Sequence, residues 1–148
     1  EKPKLGKRAY IKAVINSLNK ITSENLEFQL KLRDGSNFEI SGDYLISALC
    51  NGAYYGSGFN PAPEARIDDG ILNLILASKI PFSKFIPMIK KYKEGRHKDS
   101  KYIREILVTS GTIRSKDKFI ANADGEIFES NEIKFQVLPK ALDWVVFD

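Results

Sequence analysis

The stretch LEFQLKLRDGSNFEI, residues 26–40, decides the fold. Leu26, Phe28, Leu30 and Leu32 alternate with Glu27, Gln29 and Lys31, the two-residue period of a strand with one face on a core and one in water. Asp34-Gly35 supplies a tight turn, and Phe38 and Ile40 resume the alternation, so the stretch predicts a β-hairpin. Downstream, residues 44–51 are apolar on both faces, as a central strand should be. A Gly- and Pro-rich loop follows over 52–70, then a second two-sided strand over 71–78. Residues 81–93 read as a basic amphipathic helix with Phe82, Phe85, Ile86 and Ile89 on one side. Pro87 would kink that helix, unless Ser83 caps a later start and the proline falls near the first turn.

The last third returns to strands. One is predicted over 103–114, either continuous or broken at Ser110-Gly111, and another over 118–122 that enters the turn Asp124-Gly125. Ile133, Phe135 and Val137 alternate with polar residues, and residues 142–147 close the chain. Upstream of the hairpin, Ile11, Val14, Ile15 and Leu18 mark one face of a helix over 7–19. Strands and helices do not alternate, which argues against a parallel α/β fold. The expectation is a mainly β (α+β) domain, an antiparallel sandwich or flattened barrel with two helices, occupying 1–148 as one unit.

At 43% hydrophobic and 28% charged residues the chain has the composition of a folded domain rather than a disordered one. Its longest apolar run, residues 71–77, is interrupted by Asn73 and is too short to cross a bilayer. With no signal-like opening, a cytoplasmic location is expected. The single cysteine, Cys50, forms no internal disulfide and reads as a small core residue; with one histidine beside it, the supply excludes a Cys/His zinc centre. The net charge of +4 is unevenly spread: residues 1–20 carry +5, residues 81–104 carry +6, and the remainder therefore −7. The basic parts suit an anionic partner or are solvated faces. They lack the aromatic pattern or helix-turn-helix signal of a nucleic-acid module, so no nucleic-acid partner is expected.

Three clusters could carry chemistry. The first runs from Asn51-Gly52 through Gly56-Ser57-Gly58-Phe59 to Pro61-Ala62-Pro63, where glycines let a ligand approach the backbone or simply form a loop. The second is Arg66-Ile67-Asp68-Asp69-Gly70-Ile71, ahead of a central strand. Adjacent carboxylates cannot easily share one ion, so it is either a site of one carboxylate plus main-chain oxygens for a hard cation or a turn held by Asx bonding. The third, Asp124-Gly125-Glu126, is a turn former that could also hold a carboxylate at the rim of a sheet, able to take a proton from a hydroxyl. His97 reads as an exposed loop residue and Trp144 as core or interface packing.

In their order and spacing, Asn51-Gly52, Gly56-Ser57-Gly58-Phe59, Ala62-Pro63, Asp68-Asp69-Gly70, the basic segment with Gly95 and His97, Asp124-Gly125-Glu126 and the ending Val137-Leu138-Pro139 resemble the bacterial diacylglycerol-kinase-type lipid kinases. The resemblance covers about residues 5–147, with Ser57 where glycine is common. It implies the C-terminal, substrate-binding domain of the NAD kinase/diacylglycerol kinase-like fold. Its N-terminal partner domain would hold ATP on a Gly-Gly-Asp-Gly-Thr loop that this chain lacks, so the chain alone is expected to be inactive. It implies Glu126 as general base with Asp124 beside it, and a structural Mg²⁺ on the Asp69 carboxylate and the main-chain oxygens of Arg66 and Ile71. It further implies a lipid substrate phosphorylated from ATP at an anionic membrane surface, with Lys84, Lys90, Lys91 and Lys93 facing the headgroups. A homodimer stays open. The alternatives are a non-catalytic metal-binding β-sandwich module and an NAD-kinase-like enzyme.

Overall fold

The computed structural model describes residues 22–56 and 58–142; the expected first helix, the glycine-loop Ser57, Trp144 and all but the first residue of the expected closing strand lie outside them. Among the described residues, five strands and one helix follow in the order β1 (Glu24–Leu32), β2 (Asn37–Cys50), β3 (Leu72–Ser78), α1 (Phe82–Lys93), β4 (Ile103–Ala123) and β5 (Glu126–Gln136). Every pairing is antiparallel: β1 with β2, β2 with β3, β3 with β4, β4 with β5, and β1 also with β4. The first four strands therefore close on one another, which is the flattened-barrel outcome the alternation implied.

Closure works because two strands are long enough to serve two neighbours. The expected strands at 37–40 and 44–51 are one continuous β2. Its first half pairs with β1 as far as Glu24↔Tyr44, and its second half pairs with β3 from Tyr44↔Ser78 to Cys50↔Asn73. The handover carries a register irregularity between Tyr44 and Ile46, a bulge that turns the strand. Likewise β4 is continuous at Ser110-Gly111, and the two strands expected at 103–114 and 118–122 are one strand of 21 residues. Val108 pairs with Leu72 on one side and Leu32 on the other; from Ser110 onward β5 takes the edge that β3 has left.

The alternation of β1 sends Leu26, Phe28 and Leu30 into the barrel, where they meet Leu74, Leu76, Val108, Ile106, Ile113 and Phe119. Each fully buried side chain of this kind contributes about 1.5–3 kcal/mol. The two-sided character of β3 has a direct explanation. Leu74 and Leu76 face the barrel, while Ile75 faces a second, smaller core with Cys50, Ala62 and Tyr92 of α1. Asn73, also buried, donates from Nδ2 to Glu105 Oε1 at 2.7 Å.

α1 begins at Phe82 with Pro81 at the N-cap and no side-chain cap, so Ser83 does not start a later helix and Pro87 lies inside. The proline lacks only the N–H that would reach Ser83, an exposed residue whose carbonyl can turn to water. Lys90, Lys91 and Lys93 fill the last turn, where positive charge suits the helix dipole.

Candidate functional site

The β4–β5 ribbon carries the first group of candidate residues. Ala123 pairs with Glu126, leaving a two-residue turn of Asp124 and Gly125. Both have positive φ, 50° and 102°, the conformation that matches the strand twist and that Asp-Gly supplies at little strain. The Gly125 N–H donates to Asn122 Oδ1 at 2.8 Å and fixes the turn. Paired residues of an antiparallel ribbon share a face, so Ala123/Glu126, Ala121/Phe128 and Phe119/Ser130 form one side. Phe119 is part of the barrel core and Ala121 packs against it. Glu126 thus stands exposed at the tip of an apolar track that runs down into the core. The other face presents Ile120 and Ile127 to solvent.

Between barrel and tip the ribbon is irregular. Arg114 pairs with Glu132 and Phe119 with Ser130, so residues 115–118 of β4 stand opposite a single residue of β5, Asn131. Below that bulge, Glu132 accepts from Arg114 Nε at 2.6 Å and lies 3.3 Å from Lys134 Nζ. The Arg114 hydrogen bond, with Lys134 second, holds the Glu132 carboxyl below its ordinary value.

The second group sits where β3 begins. Asp69 Oδ1 accepts the Ile71 N–H at 2.9 Å, an Asx bond across Gly70, whose φ is 72°. Asp68 turns the other way and pairs with Arg66 Nε at 3.3 Å. Pro139, from the segment after β5, lies over the turn: a Cβ on Gly70 would be 3.2 Å from its Cγ. Among the described residues no three His, Cys, Asp or Glu side chains converge as a metal cage. The Asx bond is the turn that the sequence allows here, and it engages one oxygen of the Asp69 carboxylate; a single carboxylate is a donor type that a hard cation such as Mg²⁺ accepts.

Along β5, Gln136 and Glu126 are ten residues apart, roughly 30 Å of strand contour, and the bulge opposite Asn131 interrupts the ribbon between them.

The third group is α1. Lys84, Lys90, Lys91 and Lys93 are all exposed. Lys93 Nζ lies 5.8 Å from the centre of the Phe59 ring, and Lys84 Nζ 5.9 Å from that of Tyr102.

The sequence misplaces one buried group and is silent on another, Tyr92. His97 is not an exposed loop residue; it is buried, with Nε2 3.0 Å from the Pro61 carbonyl and its ring 5.0 Å from that of Tyr92. Lys98–Glu64 at 2.6 Å and the Asn60 N–H to Lys93 carbonyl bond at 3.2 Å add to this latch between the glycine loop and the end of α1. The Gly-Arg-His spacing gives no hint of such burial, because the contact is made to a backbone carbonyl 36 residues away. Cys50 is buried as expected; burial, reinforced by the Glu105 carboxylate, pushes its thiol up to about 11. Burial also raises Tyr92, whose hydroxyl lies 3.1 Å from that of Tyr55.

Comparison with known proteins places this architecture. The family model described as the YegS C-terminal NAD kinase beta sandwich-like domain matches residues 2–146. A probable lipid kinase YegS-like of Shewanella frigidimarina is 32% identical over 107 residues, 72% of this chain and 34% of that protein. One of Pectobacterium atrosepticum is 28% identical over 142 residues, 95% of this chain and 44% of that protein. A crystal structure of a candidate diacylglycerol kinase from Bacillus anthracis str. Sterne superposes with a TM-score of 0.65 at 21% identity, covering 94% of this chain and 46% of that one. A second from the same organism gives 0.62 at 20%; at such identities the likeness is one of fold. The chain spans less than half the length of these curated relatives.

Proposed function

The chain belongs to the YegS C-terminal NAD kinase β-sandwich-like domain family, and from that premise we propose that it is the substrate-side domain of an ATP-dependent lipid kinase. The observation that carries the reading is Glu126, an exposed carboxylate beside the two-residue turn of the ribbon, on the same face as Phe119, Ala121 and Phe128. An acyl or prenyl chain lies along the apolar track while its hydroxyl meets the carboxylate. Glu126 takes the hydroxyl proton as the oxygen bonds to the γ-phosphorus, and ADP leaves. Phosphoryl transfer depends on positioning and charge neutralisation more than on covalent help from the protein. The two-residue turn, pinned by Asn122, contributes the positioning. Asp124 sits in that turn with its carboxylate exposed beside the site.

The curated relatives are more than twice as long as the part that this chain matches, and the nucleotide is held by the part outside it; by itself the chain does not turn over. Asp69, with the main-chain oxygens of Arg66 and Ile71, would hold Mg²⁺, which supplies charge to order the loop between β2 and β3. The enzyme works on the cytoplasmic side, peripherally bound, with the lysines of α1 toward anionic headgroups.

The test is a kinase assay of the full-length protein with labelled ATP on mixed micelles of diacylglycerol, phosphatidylglycerol, a sphingoid base and a prenol. Label transferred to at least one of them is the expected result. A folded, ATP-binding protein that labels none of them overturns the proposal.

A further inference from the structure

The four lysines of α1 do not share one face. At 100° per residue, Lys90 and Lys93 lie within about 40° of Ile86 around the helix, whereas Lys84 and Lys91 lie about 140–160° away. Tyr92 provides the buried contact with the sheet. Ile86 and Ile89 stay 55% and 40% exposed, on the flank that carries Lys90 and Lys93. This flank continues onto a second element. Lys93 covers the Phe59 ring, Phe59 stacks on Tyr55 with centroids 6.2 Å apart, and the Tyr55 hydroxyl meets that of Tyr92 at 3.1 Å. Tyr54 and Tyr55 are 68% and 43% exposed beside this contact. The Asn60 N–H to Lys93 carbonyl bond ties loop and helix end together.

We infer that this flank, Ile86, Ile89, Lys90 and Lys93 with Tyr54 and Tyr55, is the surface that docks on an anionic bilayer, and that Lys84 and Lys91 are not part of it. The inference rests on the lipid-kinase reading for its ligand and narrows that reading from four lysines to two. Three features favour a bilayer over a protein face. α1 carries four lysines and no acidic residue. Exposed isoleucines flanked by lysine stems match the depth profile of an interfacial helix, in which apolar groups enter the acyl boundary and ammonium groups stay at the phosphates. Tyrosines at the edge supply the amphipathic rings that favour the headgroup level.

The experiment is co-sedimentation of the full-length protein with phosphatidylcholine vesicles, with and without phosphatidylglycerol, at low and high salt. K90Q/K93Q should weaken partitioning to anionic vesicles by about 30-fold, from two basic residues at the surface. K84Q/K91Q should weaken it several-fold less. I86S/I89S should weaken binding to both vesicle types by on the order of tenfold. Circular dichroism melting of each variant checks the fold, and Y54S, a change at an exposed loop side chain, gives a second variant that leaves the helix intact. Equal effects of the two lysine pairs, or none from I86S/I89S and Y54S, overturn the inference. So does hydrogen-exchange protection of α1 in the lipid-free protein that vesicles do not increase, which would mean that another protein face already covers it. Micelle kinase activity of the parent separates the two claims: a parent that binds vesicles yet transfers no phosphate to any micellar lipid overturns only the kinase reading, while unchanged vesicle binding by every docking variant of an active kinase overturns only the docking surface.

Discussion

Gly111 is the point at which β4 is flanked on both edges, by Leu30 of β1 and Phe135 of β5. A Cβ placed there would stand 2.8 Å from the Gln29 carbonyl oxygen, 2.8 Å from Leu30 Cδ2 and 2.9 Å from Phe135 Cζ. Ordinary contact needs roughly 3.4–4 Å, so G111A demands that something move by more than half an ångström. The Phe135 ring can rotate. The Gln29 carbonyl belongs to a strand held on both sides, by Glu39 of β2 and Thr112 of β4, and can yield only by disturbing a ladder. Overpacking of this kind costs about 1–3 kcal/mol, and a backbone obstacle puts G111A in the upper half of that range. At an urea slope of about 1–3 kcal/mol per molar, the midpoint for the unit containing this domain should fall by roughly 1 M or more. Equilibrium urea unfolding of the full-length protein, followed by tryptophan fluorescence, measures it. G35A is the control: its added methyl meets nothing within 4 Å, and only its φ of 83° resists, at about 1 kcal/mol. If G111A unfolds within half a kcal/mol of the parent, or at a higher midpoint than G35A, the edge-to-edge packing of β1, β4 and β5 is wrong.

Other consequences follow from the loop and the second core. D69N keeps an acceptor for the Ile71 N–H but loses the charge. It should melt like the parent in chelator and lack the upward shift in Tm that millimolar Mg²⁺ gives the parent; a Mg²⁺ shift that survives D69N removes the cation from this turn. Cys50 should resist thiol reagents in the native protein at pH 8, because the thiol is buried and its titration is displaced from 9.0 to about 11. The sign of the linkage is destabilising at high pH: unfolding releases a proton once the pH passes about 9, so stability falls from there to about 11, by up to about 2–3 kcal/mol. Urea midpoints at pH 8 and pH 10.5 should therefore converge more for C50A than for the parent; parallel losses would mean that the thiol does not titrate differently in the two states.

The alternation at 26–40 made the first hairpin and its core face readable, because a half-buried strand imposes a strict period of two. The two-sided segment at 71–78 was equally plain, and the structure gives its reason in two separate cores, one within the barrel and one under α1. What the local pattern missed is length. Ser110-Gly111 looks like a stop, yet the glycine is there because two strands press on it, a fact visible only across pairings to β1 and β5. The merging of 37–40 with 44–50 was hidden for a similar reason, since Gly42 and Asp43 read as a gap while pairing with Leu26 and Asn25 carries the strand through. His97 shows the limit most clearly: no neighbour in sequence announces that a loop histidine will be sealed under Pro61. Of the site, the Asp-Gly turns were legible from composition alone. The shared face of Glu126 with Phe119, Ala121 and Phe128 needed the register of the ribbon.

Everything proposed about catalysis converges on one side chain. Glu126→Gln keeps the shape of the ribbon tip and removes its basicity, so the full-length variant should melt at the parent temperature, bind vesicles as the parent does, and lose on the order of 10²-fold or more in kcat on its lipid substrate, the usual scale of general-base catalysis. A folded E126Q enzyme that phosphorylates lipid at the parent rate would show that the proton goes elsewhere and that the tip of the β4–β5 ribbon is not where the hydroxyl and the phosphate meet.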